Sequence, residues 1–277
     1  MDNRPIGVFD SGIGGLTVLT ALQKKLPNES CLYLGDTARV PYGTRSSAAV
    51  VRYAINNART LLERADIKLL VVACNTASAV SLEALKREID IPIIGVIKPG
   101  ARAATSVTRK GPILVLGTAG TIRSGAYEGA LNDAGYDGVV KTQACPLFVP
   151  LVEEGWVSGE ITEKIVATYL ADIPPNLETL ILGCTHYPLL RDAIASVLPA
   201  QVKIVDSGEA TANEVADYLK AKNAFAENAP VGHSIFVTDD PAQVQNTMRH
   251  FLGAQLSHVP VELIDVKITP PSEISHD

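Results

Sequence analysis

The sequence predicts an α/β protein of two similar lobes, each a largely parallel sheet flanked by helices, with the active site in the cleft between them. Three observations carry this expectation. Short β-branched runs alternate with segments of helical period along nearly the whole chain. Landmarks in the first half recur in the second at one offset: Asp10 answers to Thr118 at 108, Val40-Pro41 to Val149-Pro150 at 109, Cys74 to Cys184 at 110 and Gly100 to Gly208 at 108. The length, 277 residues, accommodates two small domains as readily as one large one.

The elements follow in order. "PIGVF" reads as a strand and "GLTVLTALQKKL" as a helix, with Leu16, Leu19, Leu22 and Leu26 near one face. "SAAVVRYAINNARTLLERA" repeats the helical period before the strand "KLLVVA". Further strands are expected at "PIIGVI", "ILVLG", "VVKTQA", "ETLILG", "VKIVD", "SIFVT" and "VELIDV". In "IKPGAR", residues 97–102, Pro99-Gly100 reads as a break between a strand and a helix, and a second boundary falls after "KIVDSG" at 208. The stretch 209–277 holds too few elements for a third domain. The expected organisation is therefore 1–98 plus 209–277 as the first lobe and 99–208 as the second.

Composition narrows the class. A hydrophobic share of 47% and a charged share of 19%, without low-complexity tracts, describe a compact globular chain. The opening "MDNRPIGVFDSG" lacks the basic start and apolar stretch of a leader, and no run reaches the eighteen or so apolar residues of a membrane span, so a cytoplasmic protein is expected. Cysteines at 31, 74, 145 and 184, with no CxxC pair, read as free thiols. A net charge of −6 and a pI near 5.4 oppose direct nucleic-acid binding.

In open parallel sheets, ligands gather at the carboxyl ends of the strands. Asp10-Ser11, Asp36, Cys74-Asn75-Thr76, Thr118, Cys184-Thr185-His186 and Asp206-Ser207 all fall at such ends. Cys74 and Cys184 each precede a helical segment, with Pro188 suited to a first turn, and a helix N-terminus lowers a thiol pKa. Two thiols facing across a pocket can remove a proton from a carbon and return one to its other face, which is racemisation without a cofactor. Cys31 and Cys145 lack these contexts and read as small buried residues.

"DSGIGGLT", residues 10–17, has neither GxGxxG spacing nor a P-loop ending. It reads as an amino-acid or anion loop in which Asp10 meets an ammonium or orients a thiol, or as a turn needing glycine for backbone reasons. His186 beside Cys184 lacks the further ligands of a structural zinc site, so no metal is expected. Glu153 and Asp36 are open between site residues and ordinary solvated carboxylates, and Tyr42-Gly43 between site residues and turn chemistry after Pro41.

"GVFDSGIGGLTVL", "YLGDTARVPYGTRS", "VVACNTASA", "GVIKPGA" and "LILGCTHYPLL" together resemble the motifs of the bacterial glutamate racemases, in order and over essentially the whole chain. The resemblance implies cofactor-free interconversion of L- and D-glutamate for peptidoglycan synthesis, in a homodimer. It implies Cys74 and Cys184 as the proton donors and acceptors, with Asp10 assisting Cys74, and Glu153 and His186 assisting Cys184. It places Asp10, Ser11, Tyr42, Gly43, Asn75, Thr76, Thr185 and His186 around the substrate, with Thr118 and Thr121 as additional contacts and Asp36 as a weaker one. Lys98 departs from many relatives and carries no catalytic assignment. Aspartate racemase is the nearest alternative activity; a two-lobed small-molecule binding protein with structural cysteines is the alternative of a different class.

Overall fold

The computed structural model describes residues 1–227, 232–251 and 258–267, with the side chains of 249–251 left aside. Its strands are β1 (Ile6–Asp10), β2 (Cys31–Gly35), β3 (Leu69–Val72), β4 (Ile93–Gly95), β5 (Ile113–Gly117), β6 (Val140–Ala144), β7 (Thr179–Gly183), β8 (Lys203–Asp206), β9 (Ser234–Val237) and β10 (Val261–Leu263). They form a six-stranded sheet in the order β10-β9-β2-β1-β3-β4 and a four-stranded sheet in the order β6-β5-β7-β8, and every pairing is parallel. The order β2-β1-β3-β4 is the order β6-β5-β7-β8 displaced by four, so the two lobes share a topology.

The central strands explain why the apolar runs are unbroken. β1, β3, β5 and β7 are buried at every residue, as parallel strands covered by helices on both faces must be. On one face of the first sheet, Leu16, Leu19 and Leu22 of the helix Leu16–Lys25, followed by Leu26, join Val215 and Leu219 in a common core. On the other, Val50, Ala54, Ile55, Ala58 and Leu61 of the helix Ser47–Arg64 pack with Leu70 and Val72.

Two local readings change. The strand β2, "CLYLG", is absent from the sequence reading because it has no β-branched residue and follows the breaker "PNES" immediately. Pro99 and Gly100 do not break a strand; they lie in the first turns of the helix Ile97–Val107. A proline so close to a helix N-terminus gives up no intrahelical bond, since the first N–H groups have none to make. This helix leads from β4 of the six-stranded sheet to β5 of the four-stranded one, and the helix Ser207–Lys222 leads back from β8 towards β9. A β-carbon on Gly100 would lie 3.3 Å from Ser207 Cβ, so the two crossing helices meet closely. β9 returns to pair with β2, while residues 268–277 lie outside the described part.

Candidate active site

The carboxyl ends of β1 and β3 in one lobe face those of β5 and β7 in the other. Contacts across the gap are direct. Thr17 Oγ1 donates to the Thr185 carbonyl at 2.9 Å, and Thr76 Oγ1 lies 2.9 Å from Thr118 Oγ1 and 3.2 Å from Thr121 Oγ1. Thr118 and Thr121 are 3.0 Å apart, which closes a triangle of three hydroxyls. Thr118 also caps the helix Ala119–Arg123, accepting from the Thr121 N–H.

Cys74 follows β3 as the N-cap of the helix Asn75–Val80, and its sulfur accepts from the Ala77 N–H at 3.4 Å. Its thiol donates to Ser11 Oγ at 3.6 Å. The expected lowering of its pKa does not occur: burial, and then the charge of Asp10, push it up to about 12 despite its hydrogen bonds with Ala77 and Ser11. One short helix supplies too little field to offset complete desolvation.

Asp10 is fully buried at the end of β1, where Oδ2 accepts from the N–H groups of Gly12 (3.2 Å) and Gly15 (3.0 Å). Burial raises its pKa, against the charge of His186 and these backbone bonds. Its Oδ1 has no hydrogen-bond partner among the described residues. The loop is held from below by Tyr33, whose hydroxyl donates to the Gly12 carbonyl at 2.6 Å. Gly12, Gly14 and Gly15 are not left-handed; Gly14 and Gly15 are required by close approach, to His186 and Thr185 for the former and to Asp10 itself for the latter.

Cys184 follows β7 and is also buried. It precedes a short 3-10 turn, Tyr187–Leu190, with Pro188 inside it, and the α-helix Arg191–Val197 begins only afterwards. The local charge comes from elsewhere. His186 Nδ1 lies 3.9 Å from Cys184 Sγ, and Nε2 lies 3.2 Å from Glu153 Oε1. Burial pulls the His186 pKa down, but the bonds and charges of Cys184 and Glu153 outweigh it and raise it to about 10. Cys184, His186 and the partly exposed Glu153 thus form one chain from the buried thiol towards solvent.

Asn75 spans the lobes, accepting from the Tyr127 hydroxyl at 2.7 Å and approaching Ser207 Oγ at 3.5 Å. Thr185 Oγ1 is 3.5 Å from His186 Nδ1. Tyr42 and Asp36 share one hydrogen-bond network with Asn57. The Tyr42 hydroxyl donates to Asp36 and accepts from Asn57, so that hydroxyl is already engaged within its own lobe. Gly43 beside it does reach the cleft: a β-carbon there would lie 2.6 Å from Thr118 Cβ. Asp36 is no solvated carboxylate. It is fully buried and also takes bonds from Arg39 and Thr238, which makes it the anchor of this loop. Tyr33, Asn57 and Tyr127 escape the sequence reading because their partners lie 15 to 52 positions away. Cys31 and Cys145 are buried, and burial raises each to about 12.

Among the described residues no group of three or more His, Cys, Asp or Glu could hold a metal ion, and no helix is long and apolar enough to cross a membrane.

Fold and cleft together define a two-lobed α/β protein with paired thiols at equivalent strand ends. The chain belongs to the Asp/Glu/Hydantoin racemase family, whose profile matches residues 16–215. It is 50% identical to a glutamate racemase of Geobacter metallireducens over 258 residues, covering 92% of this chain and 95% of that one. The structure superposes on glutamate racemase isoform RacE1 of Bacillus anthracis with a TM-score of 0.92, 40% identity and coverage of 97% and 100%. A Francisella tularensis glutamate racemase in complex with D-glutamate gives 0.87, 34% identity and coverage of 96% and 99%.

Proposed function

We propose that the protein is a glutamate racemase that interconverts L- and D-glutamate with Cys74 and Cys184 as its two bases, using no metal or cofactor. The observation that carries this reading is the placement of two thiols at equivalent strand ends, β3 and β7, on facing lobes. The names of the full-length relatives support glutamate over aspartate.

In one direction a cysteine thiolate takes the α-proton, leaving a carbanion, and the other thiol delivers its proton to the opposite face. The thiolate has become a thiol and the thiol a thiolate, so the reverse direction starts from the opposite arrangement. A thiol raised to about 12, as at Cys74, rests protonated and is the stronger base once ionised. Asp10 assists Cys74 through its charge, and its unpartnered Oδ1 suits the substrate ammonium. His186 and Glu153 assist Cys184 by holding a proton within reach of its sulfur. Ser11, Asn75, Thr76, Thr118, Thr121 and Thr185, with the backbone of Tyr42 and Gly43, line the remainder of the site.

The same reading makes residues 1–98 with 209–277 one lobe and 99–208 the other. It places the enzyme in the cytoplasm, supplying D-glutamate for peptidoglycan as a homodimer. Circular dichroism of L- and of D-glutamate incubated with chelator-treated protein tests the activity. The signal of each decays to zero if the reading holds; a stable signal, or decay only on addition of pyridoxal phosphate or a divalent metal, overturns it.

A further inference from the structure

We infer that Arg45 and Arg123 form a cationic mouth that captures the dicarboxylate and leads it to the thiols, a role that rests on the substrate proposed above. Arg45 belongs to the "YLGDTARVPYGTRS" stretch, and its backbone N–H donates to the Tyr42 carbonyl at 3.0 Å. Arg45 and Arg123 line one cavity of about 180 Å³. Arg45 and Ser46 reach it from the lobe of the six-stranded sheet, and Gly120, Arg123 and Ser124 from the other, so the cavity straddles the gap between lobes.

Thr76 also lines it, with Val50 and Val80. The threonine is buried, whereas both arginines are exposed, and its hydroxyl is bonded to Thr118 and Thr121. The cavity and the catalytic cleft are therefore two sides of one hydroxyl cluster. Gly120 packs closely here: a β-carbon on it would lie 2.9 Å from the Gly43 carbonyl oxygen and 3.1 Å from Thr76 Cγ2.

The charge of the cavity is opposite to that of the molecule. Its lining holds two guanidinium groups and no carboxylate. Ser46 caps the 18-residue helix Ser47–Arg64, whose first N–H groups add positive partial charge at the same place. The chain as a whole carries −6, and glutamate, with two carboxylates and one ammonium, carries −1, so the net field opposes approach. A positive recess with low-dielectric walls reverses this locally and concentrates the anion at the cleft. The planar fork of arginine matches a carboxylate in particular. Neither guanidinium is among the hydrogen-bond partners of Cys74 or Cys184, so these residues act on capture rather than on proton transfer.

The test uses R45Q, R123Q and the double variant, at ionic strengths from about 20 to 300 mM, across which the Debye length shortens several-fold. Two quantities are read: kcat and KM for glutamate, and equilibrium binding of glutarate, which has both carboxylates but no α-amino group and cannot be racemised. At low salt, kcat/KM and glutarate affinity should each fall roughly 3-fold per arginine and on the order of tenfold for both, the range of exposed charge pairs, with kcat retained. The salt dependence of the intact protein should flatten in the double variant. Unchanged glutarate affinity and salt slope in the double variant, no glutarate binding by the intact protein, or a loss confined to kcat, overturns the mouth. Failure of the intact protein to racemise glutamate, with arginine-dependent glutarate binding preserved, overturns the function and leaves the mouth standing.

Discussion

Gly14 lies against His186: a β-carbon at position 14 would stand 2.4 Å from His186 Nδ1 and 2.4 Å from Thr185 Oγ1. The glycine-rich loop of one lobe is thus shaped to the His186 imidazole of the other, and the cleft is built from both sides at once. His186 is buried, so it has little room to retreat.

Replacing Gly14 by alanine should displace the imidazole from between Cys184 and Glu153. Loss of assistance to one thiol should reduce kcat by about 10²-fold or more, with a stability loss of about 1–3 kcal/mol from overpacking. Steady-state kinetics beside urea denaturation separates the two. Full activity in G14A would mean that the position of His186 is not set by this contact.

The protonation of His186 predicts a pH dependence of stability. Its pKa rises from the ordinary 6.5 to about 10 on folding. Between those values the native state holds a proton that the unfolded chain has released, so stability is full below 6.5 and declines as pH rises towards 10. Cys31, Cys74 and Cys145, raised from 9.0 to about 12, extend the decline in the same sense above pH 9. Urea midpoints at pH 6, 8 and 9 should fall in that order, and His186→Asn should flatten the series. A midpoint that rises with pH would contradict the assignment.

Far from the cleft, Lys68 and Glu29 form a buried ion pair of 2.6 Å, and the Lys68 ammonium also donates to the carbonyls of Asp2 and Ala224. Lys68→Met strands a carboxylate and two carbonyls and should cost about 3–5 kcal/mol. The K68M/E29Q double variant should recover part of that loss, as read by denaturant midpoints. Equal stability of K68M and the parent protein would show that the pair is not coupled to folding.

The parts of the fold that were legible in the sequence are those decided locally. Runs such as "ILVLG" and "TLILG" are unbroken because β5 and β7 are covered on both faces, and Cys74 and Cys184 were found because a strand end is visible in sequence. The repeat of landmarks corresponds to a repeated strand order. What escaped depends on distant chain. The Tyr42 hydroxyl turns to Asp36 and Asn57 because the helix Ser47–Arg64 brings Asn57 there. The upward shift of Cys74 arises from burial and from Asp10, 64 positions earlier, neither of which its helix N-terminus reveals.

The central claim is that the two thiols serve opposite faces of one carbon, and the most direct measurement follows α-hydrogen isotope during racemisation in D₂O. With L-glutamate as substrate, a thiolate removes the α-proton and the other thiol, exchanged to S–D, supplies the new bond. D-glutamate formed in the first few per cent of reaction should therefore carry deuterium at Cα in nearly every molecule, as read by NMR or mass spectrometry, with the same result starting from D-glutamate. Neither Cys74→Ala nor Cys184→Ala should form product of opposite configuration, whereas Cys31→Ala should in the fraction that folds. Early product that keeps its original α-hydrogen, the mark of one base serving both faces, or near-normal racemisation by either alanine variant, would contradict the two-thiol account.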